Sequence, residues 1–420
     1  MTRSSMRITA PDPCNRVRLE DIDLADNALY AQGDPHLAWQ TLRAESPLFW
    51  QNRSAGEGFW AVTRLKDVRR VLSEHETFTS EAGTAIAMLD SPDPAGGSMM
   101  QSTDPPRHHE YRRQLAGRFS SHAAASQAGW VRSFVRKTVE PALDGGVWDA
   151  AAAFTRLPMA VGARMMDLPD KDIDPLIHLA FSSLAPGDPH FSQGSEQETA
   201  LAAHCEIMIY FEERLAEVRK NPADDLISHL LTLSVDGRPL TDDELLVNCL
   251  SLLLGAVVTT AQTISAMLVQ LAGSRDGEGR WPRDVPLDSL VDEALRWSSP
   301  VNHFMRRARV DVEMHGRTIR AGEAVTAWIA SANRDEEAFA RPYEFDPTRS
   351  PNPHIVFGTG SHRCIGSNFA RVMLREAFAE LMETTESFTL AGDYVHLLSN
   401  EIAGFVSLPV RFRAARRPTP

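Results

Sequence analysis

The chain is poor in cysteine and in basic residues, and both shortages exclude classes of protein. Its 420 residues contain four cysteines, and their spacing fits neither a zinc site nor a disulfide framework: Cys14, Cys205, Cys249 and Cys364. Lysine and arginine number 43 against 56 aspartates and glutamates, which gives a net charge of −13. We therefore expect a protein of a reducing compartment that binds no nucleic acid and no anionic membrane.

Other common features are also absent. The chain contains no G-x-G-x-x-G segment after a strand, no flavin-binding segment, no low-complexity linker, and no apolar N-terminal run long enough to span a bilayer. Apolar residues make up 43% of the chain, which is enough for a sizeable core. We expect a soluble, cytoplasmic protein with a single domain over residues 1–420.

Helical patterns dominate the middle of the sequence. The longest predicted helix runs from Thr241 to about Ala272, begins with a capping box of Thr241 and Glu244, and is almost wholly apolar over residues 249–258. A helix that is apolar on all sides is buried, so this one should cross the centre of the domain. Strands are few and short, and they are predicted at residues 59–62, 310–319 (a hairpin), 324–329 and 406–412.

The most informative segment is FGTGSHRCIG at residues 357–366, which contains Cys364. Its glycines permit a tight loop, and the apolar segment 367–380 that follows is helix-forming. A cysteine just before a helix is stabilised as a thiolate by the helix dipole and by unpaired N–H groups. An inert buried thiol is the alternative for a lone cysteine, but the glycine, aromatic and basic residues at fixed spacing around Cys364 disfavour it.

This pattern resembles the haem-ligand loop of the cytochrome P450 monooxygenases. The resemblance implies a mainly α fold: one large helical domain with a minor β region, and haem b between the long central helix and the helix after the cysteine loop. It makes Cys364 the ligand of the haem iron. It also assigns cofactor contacts in the loop to Phe357, Gly358, His362 and Gly366.

Glu293 and Arg296 form an E-x-x-R pair on a predicted helix, and the spacing puts both side chains on one face. An isolated pair of this kind is usually a surface ion pair of little value. The family resemblance instead implies a buried structural pair that a downstream arginine completes. Arg349 is the candidate for that arginine.

Four cationic or donor side chains match the family positions that contact the haem propionates. His108 and Arg112 are four residues apart on a predicted helix that follows Asp104-Pro-Pro. Arg306 begins an R-x-A-x-x-D segment, and His362 precedes the cysteine by two residues. Two carboxylates need partners of this kind. The alternative for each residue is an ordinary solvated side chain.

The long helix carries Gly255-Ala-Val-Val-Thr-Thr, where the family usually has a small pair, an acid and an alcohol. The resemblance assigns Thr259 and Thr260 to proton delivery, and Ala256 to the haem contact. Val258 stands where the acid is expected and cannot carry a proton. Three interpretations stay open: a water relay with the threonines, a polar group of the substrate, or a reaction that needs fewer protons.

The resemblance also implies a substrate pocket and a redox partner. We expect pocket contacts from the loops 82–100 and 186–191 and from residues 301–304 and 401–406, and a mid-sized, mostly apolar substrate with Glu401 among its few polar anchors. The residues expected to line the pocket are Val257, Val258, Val301, Asn302 and Ile402. Such enzymes resemble tailoring enzymes of bacterial natural-product pathways, which hydroxylate, epoxidise or cyclise their substrates.

The electrons must come from outside the chain, through NAD(P)H, a ferredoxin reductase and a small acidic ferredoxin. The arginines predicted to form the docking patch near the cysteine are Arg113, Arg118, Arg363, Arg371 and Arg375. Two alternatives to the monooxygenase remain, and Val258 motivates the first. One is a haem sensor or adaptor without turnover, and the other is an oxygenase driven by peroxide.

Overall fold

The computed structural model describes residues 16–54, 56–91, 93–273 and 277–415. The polar N-terminal segment with Cys14, residue 92 in the loop 82–100 of the expected pocket, and residues 274–276 lie outside the described residues. The predicted mainly α fold with a minor β region is confirmed.

The α-helices of the described residues follow in chain order. They are α1 Asn27–Ala31, α2 Pro35–Glu45, α3 Leu65–Ser73, α4 Arg107–Leu115, α5 Ser121–Ala125, α6 Ala128–Val139, α7 Ala150–Met166, α8 Ile173–Leu184, α9 Glu196–Lys220, α10 Leu226–Leu230, α11 Asp242–Val257, α12 Thr259–Ala272, α13 Leu287–Ser298, α14 Ile329–Ala332 and α15 Ser367–Thr384.

The strands are short. They are β1 Leu48–Gln51, β2 Phe59–Val62, β3 Phe78–Thr79, β4 Trp148–Asp149, β5 Ser234–Val235, β6 Arg238–Pro239, β7 His303–Ala308, β8 Val312–Met314, β9 Arg317–Ile319, β10 Ala324–Trp328, β11 Thr385–Leu390, β12 Val395–His396, β13 Phe405–Ser407 and β14 Pro409–Ala414. The main sheet has the order β1-β2-β10-β7-β3, and a second has the order β11-β14-β4. The remaining described strands pair as β5-β6, β8-β9 and β12-β13.

The long central helix is interrupted. Thr241 and Glu244 form the predicted capping box at the start of α11, but the helix ends at Val257 and α12 begins at Thr259. The prediction of one continuous helix is therefore wrong at Val258. The sequence from Val257 to Thr260 contains four consecutive β-branched residues, which lose side-chain freedom in a helix and lower its local stability.

Residues 242–272 are long and apolar enough, by length and composition, to cross a membrane, but 61% of the apolar window is buried inside the protein. This is the behaviour of a core helix. Both halves pack against α7, and α12 also contacts α13 and α15. The largest buried apolar cluster contains residues of these five helices, so the pair α11 and α12 lies in the centre of the core.

The predicted hairpin is present, whereas the single strand predicted near the C-terminus is divided into two. His315 and Gly316 connect β8 to β9, and both have a positive φ, 50° and 71°, as a tight hairpin turn requires. The single strand predicted at residues 406–412 is wrong, because β13 pairs with β12 whereas β14 pairs with β11 and β4. Pro409 begins β14, and the first position of a strand is one that proline can occupy.

Candidate functional site

The Cys364 loop, residues 357–366, leads directly into α15. The Cys364 amide donates to the Phe357 carbonyl at 2.7 Å and closes the loop. Gly358 and Gly360 have φ angles of +69° and +68°. A Cβ on Gly360 would lie 2.8 Å from the Cα of Ser73, so only glycine permits this contact with α3.

The Cys364 thiol faces an internal space. Its side chain is exposed, yet burial raises the pKa of the thiol. The accessible surface of Cys364 therefore belongs to a space enclosed by protein and not to the outer surface. The Gly366 amide, the Arg112 and Arg363 charges and the Ser367 amide oppose the effect of burial and lower the pKa. These groups stabilise a thiolate at the N-terminus of α15.

A second accessible surface lies on α11 and α12. Ser251, Gly255 and Thr259 are spaced by four residues, share one helical face and keep accessible surface, although the helix pair lies in the core. Gly255 is exposed, and a Cβ added there would meet nothing within 4 Å. Beside this face there is therefore room for a ligand.

The other residues predicted on these helices lie elsewhere. Val257 and Val258 are only 0% and 1% exposed, so they belong to the packed core and not to the pocket wall that was expected. Ala256 approaches α7, because a Cβ on Gly162 would lie 3.3 Å from its methyl group. Thr260 is also buried. A helical turn of about 100° per residue points neighbours of Thr259 away from its face.

The four predicted donors come together as a cationic cluster. The His108 and His362 rings lie 4.2 Å apart between centroids. Burial lowers the pKa of His108 to about 4 and that of His362 to about 2, and the charges of Arg112 and Arg306 add to the effect. Burial likewise lowers the pKa of Arg306 to about 10. Both histidines are therefore neutral near pH 7, and the positive charge of the cluster, which favours an anion, comes from Arg112 and Arg306.

Asp104, the acid nearest to this cluster, already has other hydrogen-bond and ion-pair partners. Asp104 accepts from the Ser80 amide and the Thr79 hydroxyl, and it forms an ion pair with Arg309 at 2.5 Å. Arg306 donates within the described residues only to the Met305 carbonyl, and the Nδ1 atom of buried His108 has no partner there. Two carboxylates of a ligand would satisfy these donors.

Glu293 and Arg296 form a buried ion pair, with both side chains 0% exposed and an N–O distance of 2.7 Å. Arg349 donates to Glu293 at 3.2 Å, and the Asp346 amide and the Asn352 side chain donate to the same carboxylate. Arg296 also binds the carbonyls of residues 333, 342 and 344. The network ties α13 to the segment that precedes the cysteine loop.

Residues of the predicted pocket near the C-terminus form one turn. Val301 forms an isolated β-bridge with Ile402. Asn302 is buried, its amide N–H donates to the Glu401 carbonyl at 2.8 Å and its side chain donates to Asn400 at 3.0 Å. Asn302 therefore holds the turn in place and does not face a substrate. Glu401, omitted from the named pocket residues, keeps accessible surface.

The predicted docking patch is partly neutralised. Arg118 pairs with Asp224, and Arg371 and Arg375 pair with acidic residues of α13. Within the ranges described, Arg113 and Arg363 are exposed and form no salt bridge, so the basic character of this surface is concentrated on these two.

The chain matches known proteins over most of its length. The family model described as Cytochrome P450 matches residues 188–278 and 286–413. Cytochrome P450 NovI of Streptomyces niveus is 34% identical over 403 residues, covering 94% of this chain and 97% of that protein. The steroid C26-monooxygenase of Mycobacterium tuberculosis (strain CDC 1551 / Oshkosh) is 30% identical and covers 85% and 84% of the two chains.

Solved structures agree. The crystal structure of P450 OxyD, a protein involved in the biosynthesis of vancomycin-type antibiotics, has a TM-score of 0.82, 34% identity, and covers 94% of this chain and 100% of that one. CYP268A2 of Mycobacterium marinum, solved in complex with pseudoionone, also has a TM-score of 0.82, at 28% identity.

The residues present fit the cofactor that this family implies. Haem offers iron for the thiol, a flat apolar ring and two carboxylates. The internal space provides a thiol supported by N–H groups, an open helical face at Gly255, and the cationic cluster, whose Arg112 and Arg306 form no salt bridge among the described residues. The chain belongs to the cytochrome P450 family, as a monooxygenase that acts on a small molecule.

Proposed function

We propose that this monooxygenase performs a tailoring step of natural-product biosynthesis, in which it hydroxylates, epoxidises or oxidatively cyclises a mid-sized, mostly apolar molecule. The observation that carries the proposal is the position of the Cys364 thiol, in an internal space that also has the cationic cluster, in which Arg306 donates only to a backbone carbonyl within the described residues and His108 Nδ1 has no partner there. The relatives NovI and OxyD support the assignment to natural-product chemistry, since OxyD is involved in the biosynthesis of an antibiotic.

Cys364 would bind the haem iron, and His108, Arg112, Arg306 and His362 would bind the propionates. When bound, haem supplies dioxygen activation and oxygen transfer. The Gly366 and Ser367 amides lower the pKa of the thiol against the effect of burial, and so favour the anionic form that would bind the iron. The absence of a side chain at Gly255 leaves room beside α11.

Thr259 holds a proton at its hydroxyl oxygen on the accessible face of α12. In hydroxylation or epoxidation, one atom of dioxygen would enter the substrate and the other would leave as water, with two protons and two electrons consumed. In an oxidative cyclisation, the substrate would lose two hydrogen atoms and both oxygen atoms would leave as water, with the same two protons and two electrons consumed. No side-chain base is needed on the substrate for this chemistry.

The electrons are proposed to pass from NAD(P)H through a ferredoxin reductase and a ferredoxin in the cytoplasm. Arg113 and Arg363 are the exposed, unpaired cations that an acidic ferredoxin would contact. Arg363 is adjacent to the ligand cysteine, so docking there would give the shortest path to the cofactor.

The first test is the reduced, carbon monoxide-bound spectrum of the purified, haem-loaded protein. A red-shifted Soret band is expected for wild type and for Cys205→Ser, which changes an exposed cysteine, but not for Cys364→Ser. A normal-position band in wild type would disprove the thiolate ligand. Product formation with ferredoxin and NAD(P)H is expected, whereas product formed with peroxide alone, or none with either, would favour one of the two alternatives.

A further inference from the structure

Most carboxylates buried in this protein are paired with cations. Glu293 binds Arg296 and Arg349, and Glu380, also 0% exposed, binds Arg132 and Arg136. Glu244 with Arg107 and Arg238, and Asp104 with Arg309, follow the same rule. Buried Asp225 and Asp335 accept hydrogen bonds from backbone N–H groups instead. A carboxylate removed from water without a partner is costly, so this regularity is expected.

Glu401 departs from the rule. Burial alone raises the pKa of its carboxyl to about 7, and no charged group nearby contributes to the shift. Its carboxylate has neither a salt bridge nor a hydrogen-bond partner among the described residues. Yet the side chain keeps accessible surface. As with Cys364, deep burial together with accessible surface means that the group faces an internal space.

The backbone around Glu401 is held firmly. Its carbonyl accepts from the Asn302 amide at 2.8 Å, and its own amide donates to the Ser399 hydroxyl at 3.2 Å. Three residues on, a Cβ on Gly404 would lie 2.6 Å from the Gln262 side chain of α12. The turn is therefore clamped between the start of β7 and α12, one helical turn after Thr259.

This position is in the proposed substrate pocket. The strand β7 begins at His303 and carries Arg306 of the cationic cluster, and α12 begins at Thr259. A rigid turn between these two elements presents one carboxyl to the enclosed space and offers it no cation. The missing partner must then come from a ligand, and the chemistry of a carboxylate selects a positive charge.

We propose that Glu401 is a specificity-determining residue that binds a cationic nitrogen, such as a protonated amine, of the substrate. The inference rests on the proposed function, since it names the class of substrate for the same pocket. The substrate would then combine an apolar body with one positive charge, at the end of the molecule that reaches the turn.

The test compares two ligands of one shape in the intact haem-loaded enzyme: (2-phenoxyethyl)trimethylammonium and its neutral carbon isostere, (3,3-dimethylbutoxy)benzene. The quaternary nitrogen keeps its charge at all pH values and cannot bind iron. Affinities are measured by equilibrium dialysis and by the Soret shift in wild type and Glu401→Gln. Asp393→Asn, which removes an exposed carboxylate from the same C-terminal region, is the matched control.

We expect wild type and Asp393→Asn to prefer the cation by about tenfold or more at about pH 8, and Glu401→Gln to lose the preference. The preference should weaken several-fold at about pH 6, because a group with a pKa of about 7 is then mostly protonated. His303 of β7 and His396 of β12 flank the turn, but burial lowers the pKa of each to about 4, so they stay neutral over this interval.

The other charged groups that hold the turn are Asp188 and His190, which form an ion pair, while Asp188 also accepts from the Leu398 amide. Both remain in Glu401→Gln, so a pH dependence that persists in this variant would belong to them and would overturn the inference. Equal affinity of wild type for the two ligands would also overturn it. A normal carbon monoxide spectrum in the same samples shows that only the inference has failed, and not the proposed function.

Discussion

Replacing Glu293 by glutamine should destabilise the protein more than any change to an exposed ion pair. The Glu293 carboxylate receives donors from Arg296, Arg349, Asn352 and the Asp346 amide, and its side chain is 0% exposed. The neutral amide keeps the shape but leaves two arginine side chains, 0% and 7% exposed, without their counter-charge. Uncompensated buried charge of this kind costs about 3–5 kcal/mol.

This cost can be converted into a melting temperature. An unfolding entropy of about 2.1 cal/mol/K per residue over 420 residues gives about 0.9 kcal/mol/K, so the melting temperature should fall by about 3–6 °C. The assay is thermal unfolding of the haem-loaded protein, followed by tryptophan fluorescence and by the Soret band. Trp297, adjacent to Arg296, reports on the network directly.

Glu386→Gln is the matched control, because Glu386 pairs with Arg413 at 3.3 Å and both side chains are about half exposed. An exposed pair contributes at most about 1 kcal/mol, so this variant should melt within about 1 °C of wild type. If Glu293→Gln also melts within that range, the carboxylate is not the centre of a buried charge network, and the structural account of Glu293, Arg296 and Arg349 is wrong.

Three further outcomes are expected. The folded state raises the pKa of Glu401 from 4.5 to about 7, so the folded chain binds more protons than the unfolded chain between these pH values. The free energy of unfolding of wild type, measured with urea, should therefore fall by up to about 3 kcal/mol as pH rises through this interval. Glu401→Gln should not show this fall. Arg306→Gln should release haem to apomyoglobin about tenfold faster or more, whereas Arg307→Gln should not, because Arg307 binds Glu57 on the opposite side of β7. Thr259→Val should divert reducing equivalents from product to peroxide or water, and Thr259→Ser should restore the coupling, as measured by product formed per NAD(P)H.

Local patterns predicted the elements that depend on neighbouring residues. The capping box at Thr241 and the strand Phe59–Val62 appear with the expected bounds, because both are specified within a few residues. The interruption at Val258 was missed, because the apolar run outweighed the low helix propensity of consecutive β-branched residues. The division of the terminal strand at Pro409 depends on which partners each half finds, and partners are not visible in the sequence.

The residues of the site also divide into those that the sequence predicted and those whose role depends on partners distant in the chain. The Cys364 loop, the cationic donors and Arg349 were identified by their resemblance to known motifs, and the structure brings the donors together. Helical periodicity places Ser251 and Gly255 on the face of Thr259 and Val257 on the opposite side, but it leaves Val258 beside Ser251 and Gly255. Only the structure shows that Val258 is buried. The isolation of Glu401 was not predictable, because the sequence does not show that Arg306 and Arg307 of β7 make no contribution to the pKa of its carboxyl.

Val258 and Glu401 together restrict how protons reach the pocket. Val258 occupies the position where the family resemblance leads one to expect an acid, but its side chain is 1% exposed within the apolar core. A carboxylate at that position would lose water among apolar side chains, which is costly unless a cation accompanies it. Proton donors must therefore lie elsewhere in the pocket, where Thr259 keeps surface on the helical face and Glu401 keeps surface on the C-terminal turn. This favours a water relay with Thr259, or a donor carried by the substrate, and an ammonium group bound at Glu401 would be a donor of the second kind.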